Sequence, residues 1–256
     1  MSSSTLFLTG GSGYVGRNLI RRLCRDGHVV RALVRSDAAA VISSESALTD
    51  GTPLCNAKED HPYPARAPGN YGASKAEAER VALSLNSPQF AVKILRPRFV
   101  WGRDNTTAMP YLLEAVRSGR FAWIDGGDYL TSATHVDNVC EAVHCALQSG
   151  AAGRIYHITD GAPVPFRRLI SAQLQAYGVE VPQKRVPRGV LRTIVALGDL
   201  FRALRLPLRA PMTRQEFASS AVEVTLDDSR ARRELGYRPV VTLEAGVAQL
   251  KEQAAT

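Results

Sequence analysis

The chain has 256 residues, of which 45% are hydrophobic and 22% charged, enough to bury a substantial core as one large domain or two intimate lobes. Lys and Arg outnumber Asp and Glu by 32 to 24, which suits anionic partners such as phosphates or acidic head groups, or simply a solvated basic surface. No segment reaches the roughly 18 apolar residues of a membrane span, the N-terminus has no basic leader pattern, and Cys24, Cys55, Cys140 and Cys145 form no CxxC pair. The expectation is a soluble cytoplasmic protein without disulfides or a metal site.

Thr5 to Thr9 ("TLFLT") is a short apolar run suited to a buried parallel strand. Val15, Leu19, Ile20 and Leu23 then recur at helical spacing, and His28 to Arg35 ("HVVRALVR") reads as a second strand. A loop rich in Pro and Gly (Glu59 to Asn70) leads to a helix, "YGASKAEAERVALSL", and then to a strand, Phe90 to Arg98. Further on come a helix at Pro110 to Ser118, strands near Phe121 to Ile124 and Thr131 to Val136, a helix at Asp137 to Gln148 and a strand at Arg154 to Thr159. Three helical segments after Pro165 and a short extended piece, Val222 to Leu226, complete the pattern. Alternation of strand and helix predicts an α/β fold, a Rossmann-like, doubly wound, largely parallel sheet. The dinucleotide-binding lobe is expected over 1–98 plus about 131–160, and a smaller substrate lobe over about 99–130 plus 161–256.

"TGGSGYVGR" (Thr9 to Arg17) places Gly10, Gly13 and Gly16 between the first strand and its helix. Gly10 permits the tight turn, Gly13 the approach of a pyrophosphate, and Gly16 close packing of helix on sheet, while free N–H groups of Tyr14, Val15 and Gly16 face the phosphates, with Thr9 beside them. At the end of the second strand Arg35 and Ser36 suit the extra phosphate of NADP, which is favoured; Asp37 keeps NAD open.

"YGASK" sets Tyr71 and Lys75 one helical turn apart on a shared face. A nearby ammonium and a cationic cofactor ring favour the phenolate, so Tyr71 is the candidate acid/base and Lys75 its partner and ribose ligand. With TGxxGxxG and YxxxK in this order, the sequence resembles the extended branch of the short-chain dehydrogenase/reductase superfamily, the NAD-dependent epimerase/dehydratase group. "ILRPRFVWGRDN", "HVDNVCEAV", "GRIYHITDG" and "ARRELGYRP" are similar to family segments, so the likeness extends over nearly the whole chain. The resemblance implies that Arg96 and Pro97 lie beside the nicotinamide and that a serine closing a strand orients the substrate oxygen; Ser44 is the best match and Ser43 the next. His135 and Asp137 are expected to brace a strand-to-helix turn, with Asp137 placed to cap the helix.

Within that branch the chain looks most like the group of 3β-hydroxysteroid dehydrogenases, which implies interconversion of a secondary alcohol and ketone on a small lipophilic substrate. A nucleotide-sugar epimerase or dehydratase is the alternative, and an inactive or cofactor-binding-only form is another. The apolar, arginine-bearing segment 189–212 is expected to cap the pocket or pack as a core helix, with weak membrane-surface contact as the alternative. A homodimer fits the resemblance, and no nucleic acid is expected as a partner.

One stretch conflicts with the rest. Between Arg35 and the serine-bearing strand a doubly wound sheet needs on the order of 60 connecting residues, two strands with their helices. Here only Ser36 to Ala38 intervene, spanning at most about 11 Å against offsets of roughly 17 Å along the strand and ~14 Å across it. The chain therefore reads as an internally shortened form of an enzyme of roughly 330 residues, the seam lying near 36–41. Taken literally, "AAAVIS" is expected to pair antiparallel beside the second strand or stay irregular, carrying Ser44 to the wrong sheet edge.

Overall fold

The structure is a computed structural model, and it describes residues 5–7, 13–26, 29–31, 38–203 and 212–254. Its Rossmann part begins with two short parallel strands, β1 (Thr5–Phe7) and β2 (Val29–Arg31), joined through helix α1 (Tyr14–Arg25). Next come β3 (Ala38–Ile42), β4 (Leu54–Ala57), helix α2 (Asn70–Ser84) and β5 (Ala91–Pro97). β5 is the centre of a three-stranded parallel sheet, flanked by β3 and by the strand Arg154–Ile158.

Side chains alternate across β5. Leu95 packs in one cluster with Leu19 and Leu23 of α1, with Tyr156 and Ile158, and with Cys140, Val143 and Ala146 of α4 (Val136–Gln148). Arg96, one residue on, turns to the other face and meets Glu79 of α2. The period of two thus sorts the helices to opposite sides of the sheet. Helices α3 (Ala108–Arg117), α5 (Phe166–Ala176), α6 (Arg188–Ala203), α7 (Arg214–Ser220) and α8 (Leu243–Ala254) complete the chain, α8 being one helix more than the sequence pattern indicates.

The expected antiparallel or irregular β3 is not what forms. β3 runs parallel to β5 in an unbroken register from Ala38↔Ala91 to Ile42↔Leu95, and the Ser43 N–H extends the ladder to the Leu95 carbonyl at 2.8 Å. The cause is the apolar edge of β5: pairing there satisfies its backbone groups and packs Ala40 and Ile42 against the core cluster. Reach also permits it, because the described part of β2 ends at Arg31, and seven Cα steps to Ala38 span up to about 25 Å. Among the described residues, β1 pairs with β2 and no strand joins that pair to β3.

Two smaller expectations also change, and a third is narrowed to one of its alternatives. Asp137 does not cap α4: the cap is His135, whose Nδ1 accepts the Asp137 N–H at 3.2 Å, while Asp137 takes a guanidinium hydrogen bond from Arg103 at 2.6 Å. The 130–136 segment is two short strands, Leu130–Thr131 and Thr134–His135, rather than one. α6 buries Leu191 and Val195 against Ile124 and Phe217, and exposes Val190, Ile194 and Leu197; it is a core helix on one side, and none of its described residues borders the cavity described below.

Candidate active site

A cavity of about 580 Å³ opens between the start of α1, the end of β3, the first turns of α2 and the end of β5. Its walls include Gly13, Tyr14, Val15, Gly16, Ser44, Tyr71, Lys75 and Pro97, so the described residues expected at the site, Arg96 excepted, come together in one place. Thr9, Gly10, Arg35 and Ser36 lie outside the described residues. Arg96 is a correction, since it does not border the cavity and is buried on the α2 side of the sheet.

The start of α1 fits a dinucleotide phosphate. Gly13 is its N-cap, extended and without a side-chain cap, and no acidic residue occupies the first turn. The first helical hydrogen bond is donated by the Arg17 N–H to Gly13, so the N–H groups of Tyr14, Val15 and Gly16 have no acceptor within the helix. These are the conditions under which a helix N-terminus holds an anion.

Ser44 follows β3 and opens a short 3-10 turn, Glu45–Ala47, its Oγ accepting the Ser46 N–H at 3.2 Å. Its own hydrogen goes to Glu45 Oε2 at 2.7 Å. Ser43 also borders the cavity, its hydroxyl buried and without a hydrogen-bond partner among the described residues, whereas the Ser44 hydroxyl is held by Glu45 and the Ser46 N–H.

Tyr71 and Lys75 are brought to Ser44 by two features of α2. Gly72 is one: a Cβ there would sit 2.6 Å from the Ser46 carbonyl oxygen, so only glycine lets the helix press this close to the serine turn. The other is a clamp two turns along, because Tyr71, Lys75 and Glu79 are spaced by four and share a face. Glu79, 0% exposed, receives Arg96 of β5 (1% exposed) side-on, Nε to Oε1 at 2.8 Å and Nη2 to Oε2 at 2.5 Å. Tyr63 adds its hydroxyl to the same carboxylate at 2.7 Å. Despite its burial, which opposes ionisation, Arg96 above all and Tyr63 with it hold the Glu79 carboxyl below the usual glutamate range. YxxxKxxxE at this spacing is the sequence signal that points to the clamp.

Lys75 Nζ donates to the Ile42 carbonyl at 3.3 Å and lies 5.8 Å from the centre of the Tyr71 ring. Tyr71 is 51% exposed, yet its phenol titrates above the ordinary tyrosine value. Burial is the main cause, the Ser44 hydroxyl opposes it, and the Glu45 charge adds to it. Glu45 (3% exposed) and its partner Arg98 (2% exposed, Nη1 to Oε1 2.6 Å) both border the cavity and were missed in the sequence, where only their adjacency to Ser44 and to the end of β5 marks them. Arg98 also donates to the Ser219 carbonyl, tying the sheet end to α7.

The four cysteines are unbonded thiols, and no metal-type cluster of His, Cys, Asp and Glu occurs among the described residues. Nor, among the described residues, is any helix long and apolar enough to cross a membrane.

Comparison with known proteins sets this geometry in context. A 4-hydroxy-2-methyl-3-oxo-4-farnesyl-3,4-dihydroquinoline-1-oxide ketoreductase of Stigmatella aurantiaca is 36% identical over 318 positions, covering 96% of this chain and 95% of that protein. Those 318 positions exceed the 256 residues here by 62, so at least 62 positions of that relative have no counterpart. A 2-alkyl-3-oxoalkanoate reductase of Stenotrophomonas maltophilia is 29% identical, over 94% of this chain and 73% of its own length. The solved structure of RMD from Pseudomonas aeruginosa with NADPH shares the fold at a TM-score of 0.66 and 16% identity, over 98% of this chain and 99% of that one. Residues 27–188 match the 3-beta hydroxysteroid dehydrogenase/isomerase family. On the strength of that match and of the Stigmatella relative, the chain belongs to the 3-beta hydroxysteroid dehydrogenase/isomerase family, within the extended short-chain dehydrogenases/reductases.

Proposed function

We propose that this protein is a nicotinamide-dependent oxidoreductase that interconverts a ketone and a secondary alcohol on a small lipophilic substrate, with NADP the preferred cofactor. The observation that carries this is the convergence of Ser44, Tyr71, Lys75 and the uncapped start of α1 on one cavity. Relatives whose names denote reduction of a farnesylated ring ketone and of 2-alkyl-3-oxoalkanoates support a lipophilic carbonyl substrate. The case for NADP rests on Arg35 and Ser36. The nucleotide-sugar alternative draws only on a shared fold at low identity.

When bound, the reduced nicotinamide supplies the hydride that adds to the carbonyl carbon. The residues do the rest. The N–H groups of Tyr14, Val15 and Gly16 hold the pyrophosphate, and Lys75 reaches the ribose. Tyr71 gives its phenolic proton to the carbonyl oxygen as that oxygen gains charge, and takes it back in the reverse direction. Pro97 lines the same cavity, where it would lie beside the nicotinamide, and Phe99 adds an apolar wall.

The catalytic half of the site is assembled, while the family's third and fourth strands, the supports of the adenine and of the nicotinamide ribose, are the parts a seam near 36–41 removes. We therefore place the 62 or more absent positions there and expect weakened cofactor binding rather than a lost acid/base group. The test is NADPH oxidation at 340 nm with lipophilic 3-oxo compounds, beside a fluorescence titration of NADPH. The reading requires ketone-dependent turnover that falls by roughly 10²–10⁴ in Tyr71→Phe with NADPH binding retained. Full turnover in that variant would overturn it.

A further inference from the structure

The proposed reaction does not say whether its lipophilic carbonyl compound carries a charge, and it gives no task to the buried ion pair on the cavity wall. Glu45 and Arg98 both border the cavity, 3% and 2% exposed, and are joined Nη1 to Oε1 at 2.6 Å. A lone arginine here would anchor a carboxylate, because its planar fork offers two parallel donors to an anion. This one is committed. Its Nη1 serves Glu45, its Nη2 donates to the Ser219 carbonyl, and its Nε is buried without a partner among the described residues. Glu45 thus fills the place that a substrate carboxylate would take on Arg98. Its other oxygen, Oε2, accepts the Ser44 hydroxyl at 2.7 Å, so the negative member of the pair is the one beside the serine.

A 3-oxo acid is the demanding case, because its carboxylate stands only two bonds from the reacting carbon. The resemblance puts Ser44 at the reacting oxygen, so the substrate carboxylate would fall within roughly 8 Å of Glu45, where partly buried charges are poorly screened. The other charged groups on the cavity wall are Lys75 and Arg98. Lys75 donates to the Ile42 carbonyl and, in the proposed reaction, holds the ribose. Arg98 is neutralised by Glu45. Among the described residues of the wall, no cation is left for the substrate. An anion entering here sheds its water without gaining a counter-charge, a cost that a neutral ketone does not meet. We propose that the Glu45–Arg98 pair is a specificity determinant that makes the site select uncharged lipophilic ketones and reject oxo acids; this rests on the oxidoreductase reading and names its substrate class.

The measurement is calorimetric titration of the protein at saturating NADPH with 3-hydroxydecanoate and, separately, with its primary amide, which has the same shape and no charge. Alcohol and cofactor are both reduced, so binding is read without turnover. At pH 7 the amide is expected to bind wild type at least about tenfold more tightly than the acid. In Glu45→Gln the buried Arg98 loses its partner and the ligand carboxylate supplies one, so the acid gains at least about tenfold while the amide changes little. Glu45→Gln with Arg98→Gln removes both charges and loses that gain. Wild type that binds the acid as tightly as the amide, or does not bind the amide, overturns the proposal even when neither variant folds. So does an unchanged acid affinity in a folded Glu45→Gln protein. The expected binding pattern without turnover on any ketone defeats the functional reading and leaves the selectivity standing, whereas ketone turnover with the acid preferred does the reverse.

Discussion

Replacing Arg96 with Met tests whether the α2 clamp positions the site. The substitution keeps most of the side-chain volume but leaves Glu79, 0% exposed, with Tyr63 as its remaining strong donor. Removing one partner of a buried ion pair costs about 3–5 kcal/mol, since the other charge stays desolvated. For a chain of this size that is a fall in Tm of roughly 6–20 °C. The loss is pH-dependent with a definite sign. Glu79 has a folded pKa below its unfolded value, so its contribution is complete above the unfolded value of about 4.3 and disappears as pH falls through the folded one. The gap between variant and wild type should therefore be widest near neutral pH and narrow below pH 4. Urea melts at pH 7 and pH 4, followed by circular dichroism, measure both. A second variant, Arg96→Met with Glu79→Leu, removes both charges and should recover most of the stability at pH 7, because burying neither ion is close to neutral. Recovery of stability without recovery of kcat separates the clamp's aim of Tyr71 and Lys75 from its contribution to folding. A single Arg96→Met that melts within ~1 kcal/mol of wild type at neutral pH would refute the reasoning.

Two further outcomes bear on the site and the seam. Gly72→Ala places a methyl group 2.6 Å from the Ser46 carbonyl oxygen, so α2 and the serine turn must separate; kcat should fall roughly 10–100-fold while the melting curve changes little by comparison, as steady-state kinetics beside thermal melts will show. Inserting the segment of the Stigmatella relative that spans the family's third and fourth strands between residues 36 and 41 should tighten NADPH binding at least about tenfold by fluorescence titration, a gain of about 1.4 kcal/mol. An unchanged Kd would mean that the missing positions lie elsewhere.

Much of the site is legible along the chain because its groups come in short local motifs. TGxxGxxG carries Gly13 to Gly16 into the first turn of one helix, and YxxxK sets two groups a turn apart, so no long-range contact is needed to see them. Glu45, Arg98 and the Arg96 clamp are different. Each is an ordinary charged residue in the sequence, and its role arises only when β3, α2 and β5 meet, since partners 53 residues apart for Glu45 and Arg98, and 17 apart for Glu79 and Arg96, are brought within hydrogen-bond range by strand pairing. The resemblance places Arg96 with Pro97 beside the nicotinamide, but adjacent residues of a strand face opposite ways and Pro97 alone borders the cavity.

The seam divides the same way. Spacing alone points to a doubly wound sheet short of about 60 residues between the second strand and the serine, because chain length per βαβ unit is a property of covalent geometry. It also determined the family, through motifs whose order and spacing survive the loss. What it left open was where the orphaned strand would go. A five-residue apolar segment has no intrinsic preference for one parallel edge over another antiparallel one, and the choice follows the partner that offers an unpaired ladder and a buried face. β5 offers both, so β3 pairs with it and Ser44 reaches Tyr71. Tertiary structure alone likewise decided the surroundings of that tyrosine, where burial and the Glu45 charge raise its pKa and the Ser44 hydroxyl opposes them.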